Sequence, residues 1–323
     1  MQPPLPSDVI ARADAVVELA QVRKRYGRHT VLDGLDLAVA RGEVVGLLGP
    51  NGSGKTTTLR IAAGYLWADA GEVFIAGQRL TPASTDLRAR IGYLPERAPL
   101  YDPFTVQGYL EFVAAARGLR GAPRQAALAR VCAACNLDGV RDRVIGRLSK
   151  GFRQRIGLAQ ALLGEPDVVL LDEPTNGLDP FQIVEARAMI RACARDRAVI
   201  ISTHILQEVA ALCTRVVFLR DGRLLEVATD ATAQGAVKLE VLLHGPAPDT
   251  LRQALAAQVP EWQVAEVAAA GDDVWRYRLQ GPAAHAARTR LTRALVAQGA
   301  LLELRSLEAT LEDRVAALCA TPA

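Results

Sequence analysis

A glycine-rich segment near residue 50 has the composition and spacing of a phosphate-binding loop. Its glycines permit a tight wrap in which successive backbone N–H groups point at phosphate oxygens, and a helix directly after it would present its positive end to the same anion. In this pattern Lys55 reaches the β- and γ-phosphates of a nucleotide, and the Thr56 hydroxyl binds Mg²⁺. A chance match is roughly a one per cent event in a chain of this length. The candidate nucleotide-binding residues are Gly49, Pro50, Asn51, Gly52, Ser53, Gly54, Lys55, Thr56 and Thr57.

Two adjacent carboxylates, Asp172 and Glu173, follow the apolar run 168–171. Asp172, at the end of such a strand, is placed to hold Mg²⁺, usually through water. Glu173, next to the γ-phosphate, could orient or deprotonate the attacking water, and a general base of this kind contributes typically ~10²–10⁴-fold to the rate. An acidic pair at a strand end often only caps the next helix, but the phosphate loop in the same chain favours the catalytic interpretation.

His204 follows another apolar strand pattern, at residues 199–202. Ligands of parallel sheets bind at the carboxyl ends of the strands, so His204 is expected on the same rim as Lys55 and Glu173. There it could sense or polarise the γ-phosphate. A lone histidine is more often structural, but the rim position favours a catalytic role. The histidines without such a setting are His29, His244 and His285.

The elements that must position these residues alternate between strands and helices. Short apolar runs bounded by glycines or by the carboxylates fit buried parallel strands, and the segment after the phosphate loop fits a helix. Such alternation predicts an α/β fold with a mostly parallel sheet covered by helices on both faces. Strands are predicted at 16–22, 31–39, 43–48, 167–171, 198–202 and 216–220, and helices at 55–65, 105–117, 123–135, 151–163, 181–194 and 205–213.

A small and polar stretch at residues 229–236 is predicted to be a linker. Beyond it the order of elements is βαββαβ with one additional helix, which predicts a small α+β domain of ferredoxin-like topology without a recognisable catalytic motif. The two predicted domains span residues 14–228 and 237–323. The strands of the second are predicted at 237–243, 262–267, 274–279 and 301–307, and its helices at 250–258, 283–297 and 311–318.

The composition argues against several classes of protein. The 323 residues include 38 basic and 35 acidic side chains, a net charge of +3, which disfavours a dedicated nucleic-acid binder. The apolar runs are far shorter than the ~18 residues of a membrane helix, and no secretory signal is recognised, so a cytoplasmic location is expected. Cys132 and Cys135 lie late in a helical pattern without further zinc ligands nearby, which favours buried core positions.

Between the phosphate loop and the carboxylate pair lies the segment Leu-Ser-Lys-Gly-Phe-Arg-Gln-Arg, residues 148–155. With it, residues 16–227 resemble an ATP-binding-cassette (ABC) ATPase, whose signature is Leu-Ser-Gly-Gly-Gln. In that family the signature binds the γ-phosphate of an ATP held by the opposite subunit, through a helix N-terminus and a serine hydroxyl. The matching residues here are Leu148, Ser149, Lys150, Gly151 and Phe152.

The resemblance implies a P-loop NTPase cassette with an antiparallel β subdomain and a helical subdomain, the latter at about residues 96–164. It also implies a homodimer, or a paired cassette, that holds two ATP molecules head to tail, closes when ATP binds and reopens after hydrolysis. Tyr26 resembles the aromatic residue that stacks on adenine, although it could also be a turn aromatic that covers the sheet. The loop that touches the partner subunit is matched by Gly177, Leu178 and Asp179.

Three residues depart from the usual pattern of the family. Glu96 stands where a Mg²⁺-binding glutamine is usual; a carboxylate can also bind Mg²⁺ but adds negative charge near the phosphates. Lys150 and Phe152 replace the signature Gly and Gln, while Ser149 and Gly151 remain. In these substitutions, and in residues 203–209 and 306–308, the chain resembles the ATPases of two-component exporters. That branch includes multidrug, gliding-motility-associated and copper- or nitrous-oxide-reductase-related systems.

The resemblance therefore implies an ATPase that uses ATP and Mg²⁺ and drives export through a separate membrane permease of several spans. The chain would be held by that permease on the cytoplasmic face of the cell membrane. Two alternatives stay open. An importer ATPase shares the same motifs, but its C-terminal domain is more often all-β. A non-transport ABC ATPase that acts on ribosomes or nucleic acid usually carries two cassettes in one chain or a long coiled-coil insertion.

Overall fold

The computed structural model describes residues 14–227, 236–245, 247–282 and 285–306. The chain forms two compact units that divide after Val227. Most of the linker predicted at 229–236 and the whole of the last predicted helix, at 311–318, lie outside the described residues. Within the described ranges no helix has both the length and the hydropathy of a membrane span.

The first unit is a mixed α/β structure. Its strands are β1 (Ala15–Tyr26), β2 (His29–Ala40), β3 (Val44–Leu48), β4 (Ala70–Ile75), β5 (Gln78–Arg79), β6 (Ile91–Leu94), β7 (Val168–Asp172), β8 (Ala198–Thr203), β9 (Arg215–Arg220) and β10 (Arg223–Val227). Its helices are α1 (Lys55–Ala62), α2 (Thr85–Ala89), α3 (Val106–Ala116), α4 (Gly121–Ala134), α5 (Lys150–Leu162), α6 (Pro180–Ala194) and α7 (Leu206–Leu212).

The central sheet has six strands in the order β10-β9-β3-β8-β7-β6. All neighbours pair in parallel except β10, which runs antiparallel to β9. The mostly parallel sheet predicted from the sequence is thus confirmed. The register places Leu48 beside Thr203 and Asp172 beside Ser202. The loops that leave β3, β7 and β8 therefore meet at one edge of the sheet, which is where ligands of such folds bind.

A second sheet of four antiparallel strands has the order β2-β1-β4-β5. Its alternating apolar residues, such as Leu19 and Leu35, join Val45, Leu47 and Leu59 of the parallel sheet and α1 in one buried core. This packing fixes the start of α1 and hence the phosphate loop, because α1 is held between two sheets that share its core. The elements β4, β5, β6, β10 and α2 have no counterpart in the sequence prediction.

The segment between β6 and β7 is helical, as the sequence predicts. Helices α3, α4 and α5 pack together, and Thr105 caps α3 by accepting a hydrogen bond from the Gly108 N–H at 3.1 Å. Cys132 and Cys135 are buried in this core, in agreement with the interpretation as packing residues. Burial raises the pKa of the Cys135 thiol to about 12, so this thiol has little thiolate character near neutral pH.

The second unit contains one antiparallel sheet in the order β12-β13-β11-β14 with two helices. With its sequence order of βαββαβ, this arrangement is the ferredoxin-like topology predicted from the sequence. Its own core includes Leu239, Val241, Leu251, Tyr277 and Leu291. The elements are β11 (Ala236–His244), α8 (Pro248–Gln258), β12 (Gln263–Gly271), β13 (Val274–Pro282), α9 (His285–Gln298) and β14 (Ala300–Ser306).

Candidate active site

The phosphate loop connects β3 to α1, as its sequence predicts. Gly54 precedes the helix with φ of 106°, a backbone conformation that only glycine adopts without strain. A Cβ at Gly49 would lie 2.5 Å from the carbonyl oxygen of Leu219, so this position has no room for any side chain. The buried hydroxyl of Ser53 makes no hydrogen bond to any described residue. The loop thus combines a close backbone wrap with a free donor, which suits a phosphate.

Lys55 is the first residue of α1, and its side chain is buried within the loop. Its ammonium donates hydrogen bonds to the carbonyl oxygens of Gly49, at 2.8 Å, and Pro50, at 3.1 Å. Burial lowers the pKa of Lys55, and the nearby carboxylates of Glu173, Asp172 and Glu96 oppose that shift. The Lys55 ammonium is therefore held at the centre of the loop. The negative charge of the nearby carboxylates is one that a bound metal ion would neutralise.

Thr56, in α1, and Asp172, at the end of β7, bring a hydroxyl and a carboxylate together. Thr56 Oγ1 lies 3.2 Å from Asp172 Oδ1, and the Ser202 hydroxyl also donates to Oδ1 of Asp172. Asp172 is the last residue of the buried strand β7, so the sheet fixes the backbone position from which its carboxylate extends. Hydroxyl and carboxylate oxygens are the ligands that Mg²⁺ prefers. The donor set therefore fits Mg²⁺, as the sequence predicts for these two residues.

Glu173 and His204 form a pair at the same edge of the sheet. His204 Nδ1 lies 3.0 Å from each carboxylate oxygen of Glu173. Glu173 is buried, and its backbone N–H donates to the carbonyl oxygen of Ser202 at 3.0 Å. Its φ of 48° is rare for a residue with a side chain and is typically found where the surrounding structure enforces it. The backbone thus aims the carboxylate at the imidazole.

A cleft of about 450 Å³ opens beside these groups. It brings together the phosphate loop, Glu96, Glu173 and His204 in one place. Glu96 Oε1 accepts a hydrogen bond from the side-chain amide of Asn176 at 3.4 Å. The expectation that His29 lies in no such setting is wrong, because β2 begins at the rim of the cleft. The residues that line it are His29, Val31, Asn51, Gly52, Gly54, Lys55, Thr56, Thr57, Glu96, Glu173, Asn176 and His204.

Tyr26 lies at the end of β1, opposite His29 in the register of the β1–β2 hairpin. Half of its surface is exposed, and the Lys24 ammonium lies 5.8 Å from the centre of its ring. Tyr26 is not among the described residues that line the cleft. Stacking of Tyr26 on adenine stays a prediction from the resemblance.

The signature residues surround the beginning of α5. Ser149 is exposed and caps the helix, with the Phe152 N–H 3.5 Å from its hydroxyl oxygen. The Arg155 guanidinium lies 5.0 Å from the centre of the half-buried Phe152 ring. Leu148 packs against the core of the helical region. None of the residues 148–152, all described, lines the cleft of their own chain.

The loop after β7 meets the signature within one chain. Lys150 extends over Gly177 so closely that a Cβ at Gly177 would lie 2.2 Å from Lys150 Nζ. Asp179 caps α6 by accepting a hydrogen bond from the Gln182 N–H at 2.9 Å, and Leu178 packs partly buried beside it. A Cβ at Gly151 would lie 2.7 Å from the Gln182 side chain. The start of α5 and the start of α6 are therefore adjacent.

Behind the Glu173–His204 pair lies a group of buried polar residues that were not predicted from the sequence. Ser202, Thr203, Thr175 and Glu208 are buried, and hydrogen bonds connect them to one another or to the residues of the pair. The sequence does contain a signal for this group, because serine and threonine residues follow both apolar strands where the chain reaches the rim. That signal does not show which hydroxyl faces which carboxylate.

Taken together, this edge of the central sheet offers a cation for phosphate, an oxygen pair for Mg²⁺ and a buried carboxylate paired with an imidazole. Lysine and backbone N–H groups bind phosphate oxygens, and a carboxylate beside them can take a proton from water. These groups are the ones that phosphoryl transfer to water requires. The geometry therefore suits hydrolysis of a nucleoside triphosphate.

Comparisons with known proteins agree with this site. The family model described as ABC transporter matches residues 32–176. The chain is 35% identical over 280 residues to a Nod factor export ATP-binding protein I of Paraburkholderia xenovorans, covering 84% of this chain and 89% of that protein. It is 39% identical over 217 residues to an uncharacterized ABC transporter ATP-binding protein of Bacillus subtilis, covering 66% of this chain and 69% of that protein.

Solved structures show the same fold. The ATP-binding subunit of an ABC transporter superposes with a TM-score of 0.59 at 31% sequence identity, covering 65% of this chain and 88% of that one. A bacterial ABC transporter cassette solved as a dimer superposes with a TM-score of 0.58 at 25% identity, covering 64% of this chain and 96% of that one. The chain therefore belongs to the ABC transporter family and is an ATP-binding subunit of such a transporter, as its phosphate loop, its signature and these similarities show.

Proposed function

We propose that this chain hydrolyses ATP with Mg²⁺ in the cleft and drives export through a separate membrane permease. The observation that carries the proposal is the position of His204 Nδ1, 3.0 Å from both oxygens of the buried Glu173 carboxylate on the rim that also holds Lys55. A site that only bound nucleotide would not need a buried base and an imidazole beside the phosphate loop.

Each residue has a role that follows from its place. Lys55 and the loop N–H groups bind the β- and γ-phosphates, and Thr56 and Asp172, with Glu96, would hold Mg²⁺. When bound, Mg²⁺ neutralises charge on the phosphate oxygens. Glu173 accepts a proton from water while the water oxygen bonds to the γ-phosphorus and the bond to ADP breaks.

His204 orients Glu173 through their contact and reaches the γ-phosphate from the rim. The uncharged Nδ1 tautomer that donates to Glu173 leaves Nε2 as an acceptor, whereas the imidazolium donates from both nitrogens. Either form can donate from Nδ1 to the Glu173 carboxylate.

The signature residues support a dimer of two copies. Ser149 and Lys150 are exposed at the start of α5, and the signature does not line the cleft of its own chain. A helix N-terminus with an exposed serine hydroxyl can bind a phosphate presented by another molecule. In a head-to-tail pair, the signature of one copy would complete the site of the other, with Gly177, Leu178 and Asp179 between them.

Mixing two inactive variants tests this arrangement. Lys55→Ala removes the phosphate contact of one site, and Ser149→Glu places a negative charge where the partner's γ-phosphate would bind. Each variant alone is expected to hydrolyse ATP poorly. An equal mixture is expected to recover about a quarter of wild-type activity, because half of the dimers are mixed and each has one intact site. Activity no greater than that of the separate variants would contradict the composite site.

A cluster of exposed aromatic rings on the helical region supports a membrane partner. Tyr101, Phe104 and Phe112 are 53%, 41% and 50% exposed. Their ring centres lie 5.7, 5.9 and 6.1 Å apart. Three adjacent exposed aromatics are typical of a protein contact surface. The Paraburkholderia relative is named for export, which favours an exporter over an importer.

Co-purification from native membranes tests the partner. We expect the wild-type chain to bring down a membrane protein with several spans, and the double variant Phe104→Ser/Phe112→Ser to lose it. Tyr65→Ser, at an exposed aromatic outside the cluster, is the matched control and is expected to retain the partner. Association with ribosomes or DNA in place of a membrane protein would support the non-transport alternative.

A further inference from the structure

Behind the Glu173–His204 pair lies a buried carboxylate without a cationic partner. Glu208, in the first turn of α7, is 3% exposed. Among the described residues, no Lys, Arg or His forms an ion pair with it. A buried carboxylate is costly unless hydrogen bonds satisfy it. The groups that donate hydrogen bonds to the Glu208 carboxylate therefore indicate its role.

Two threonine hydroxyls satisfy Glu208. Thr175 donates to Oε1, and Thr203 donates to Oε2 at 3.0 Å. The Thr203 oxygen also accepts the Ile205 N–H at 3.1 Å, which leaves the hydroxyl proton for Glu208. Both threonines are buried. One carboxylate thus holds two hydroxyls, each by its own oxygen, out of reach of competing water.

The two threonines belong to the two segments that carry the proposed catalytic pair. Thr175 lies two residues after Glu173, and Thr203 directly precedes His204. The two segments follow paired parallel strands and are also joined through Ser202, whose carbonyl oxygen and hydroxyl both accept from the Glu173 N–H, at 3.0 and 3.2 Å. Glu208 adds a buried connection beyond the last paired residues, made by side chains.

We propose that Glu208 is a positioning residue for ATP hydrolysis. By holding Thr175 and Thr203 together, it fixes the distance between the Glu173 carboxylate and the His204 imidazole. The inference rests on the proposed function, in which that pair acts on the attacking water. A hydrophobic residue of the same size would fill the space but remove both hydrogen bonds that link Thr175 to Thr203 through Glu208, and a small displacement of a catalytic group is enough to slow a reaction.

The first test compares Glu208→Leu with Glu208→Gln. Leucine keeps the volume and removes both hydrogen bonds, so kcat is expected to fall ~10–100-fold while KM for ATP stays within about twofold. Glutamine can accept from one threonine and donate to the other, so it is expected to restore most of the activity. A rise in KM with kcat unchanged would overturn the proposal, as would a Gln variant as slow as the Leu variant.

A matched pair at Thr203 keeps the test valid if Glu208→Leu does not fold. Thr203→Val has the same shape without a hydroxyl, and Thr203→Ser keeps the hydroxyl. Valine is expected to lower kcat several-fold, and serine to retain most of it. Equal kcat for Val and Ser would show that the hydrogen bond to Glu208 has no part in catalysis.

Combination with His204→Ala separates positioning from simple support of the fold. If Glu208 acts through the pair, the double variant Glu208→Leu/His204→Ala loses less than the product of the two single losses. Losses that multiply would overturn the proposal. Glu173→Gln, measured in parallel, tests the proposed function itself: if it abolishes hydrolysis and Glu208→Leu does not slow it, only the present inference fails. Glu240→Gln, at a buried carboxylate of the second unit, is the control and is expected to keep wild-type kcat.

Discussion

Replacing Glu173 by glutamine removes a proton acceptor and little else. The amide has the size of the carboxylate, and its remaining oxygen can still accept from His204 Nδ1, which lies 3.0 Å from both oxygens in the wild type. The backbone of residue 173 stays held by Ser202. We therefore expect the cleft to keep its shape, the phosphate loop to keep its contacts, and ATP to bind with nearly unchanged affinity.

The expected loss is in the chemical step. A general base contributes ~10²–10⁴-fold, or about 3–5 kcal/mol of activation free energy, and an amide cannot replace it at neutral pH. Glu173 lines the open cleft, but water there is a far weaker base than a carboxylate and is a poor substitute for it. We expect kcat to fall by that factor while dimers that contain ATP accumulate, because closure is no longer followed by hydrolysis.

Three measurements on the same preparation check this prediction. Phosphate release gives kcat, titration with a fluorescent ATP analogue gives the affinity, and size-exclusion chromatography with ATP gives the dimer fraction. Glu240→Gln, an equivalent change at a buried carboxylate of the second unit, is expected to leave all three unchanged. A Glu173→Gln chain with a kcat within about threefold of wild type would refute the assignment of the base.

Three further predictions address other parts of the site and fold. His204→Ala should lower kcat by ~10²-fold with little change in KM, because it removes the orientation of the base; steady-state kinetics would refute this if only KM changed. Thr56→Val should raise the Mg²⁺ concentration needed for half-maximal hydrolysis, while Thr56→Ser should not, since only serine keeps the hydroxyl; equal Mg²⁺ titrations would contradict the metal role. Gly71→Ala should lower the melting temperature more than Gly77→Ala: both have positive φ, which costs roughly 1–2 kcal/mol with a side chain, but only at Gly71 would a Cβ lie 2.3 Å from the Gln21 carbonyl oxygen. Similar melting temperatures would show that this contact relaxes.

The sequence predicted the parts of the site that depend on local pattern. The phosphate loop, the strand that ends in Asp172 and the strand before His204 all have short-range signatures, and the structure brings them to one edge because parallel strands end together. Element ends differ by a few residues. The helix predicted to extend to residue 65 ends at Ala62, and the hairpin strands β1 and β2 are longer than expected.

What the sequence could not give depends on contacts between distant residues. The place of His29 at the cleft follows from the pairing of β2 with β1, which brings the first residue of that strand to the rim. The hydrogen bonds of Glu208 join residues 33 and 5 positions away, and neither spacing has a local signal. In α7 the glutamate even falls in the first turn, where an exposed acidic residue is common.

The position of Lys150 over Gly177 has a consequence for how this family can vary. With lysine at position 150, a side chain at position 177 would have to displace the ammonium group, and it would also adopt a φ of 70°. The two positions therefore restrict each other, although they lie 27 positions apart in the sequence. Homologues with glycine at position 150 have no ammonium group over position 177, so only the positive φ restricts that position. We expect substitutions at position 177 to be commoner in them than in homologues that keep the lysine.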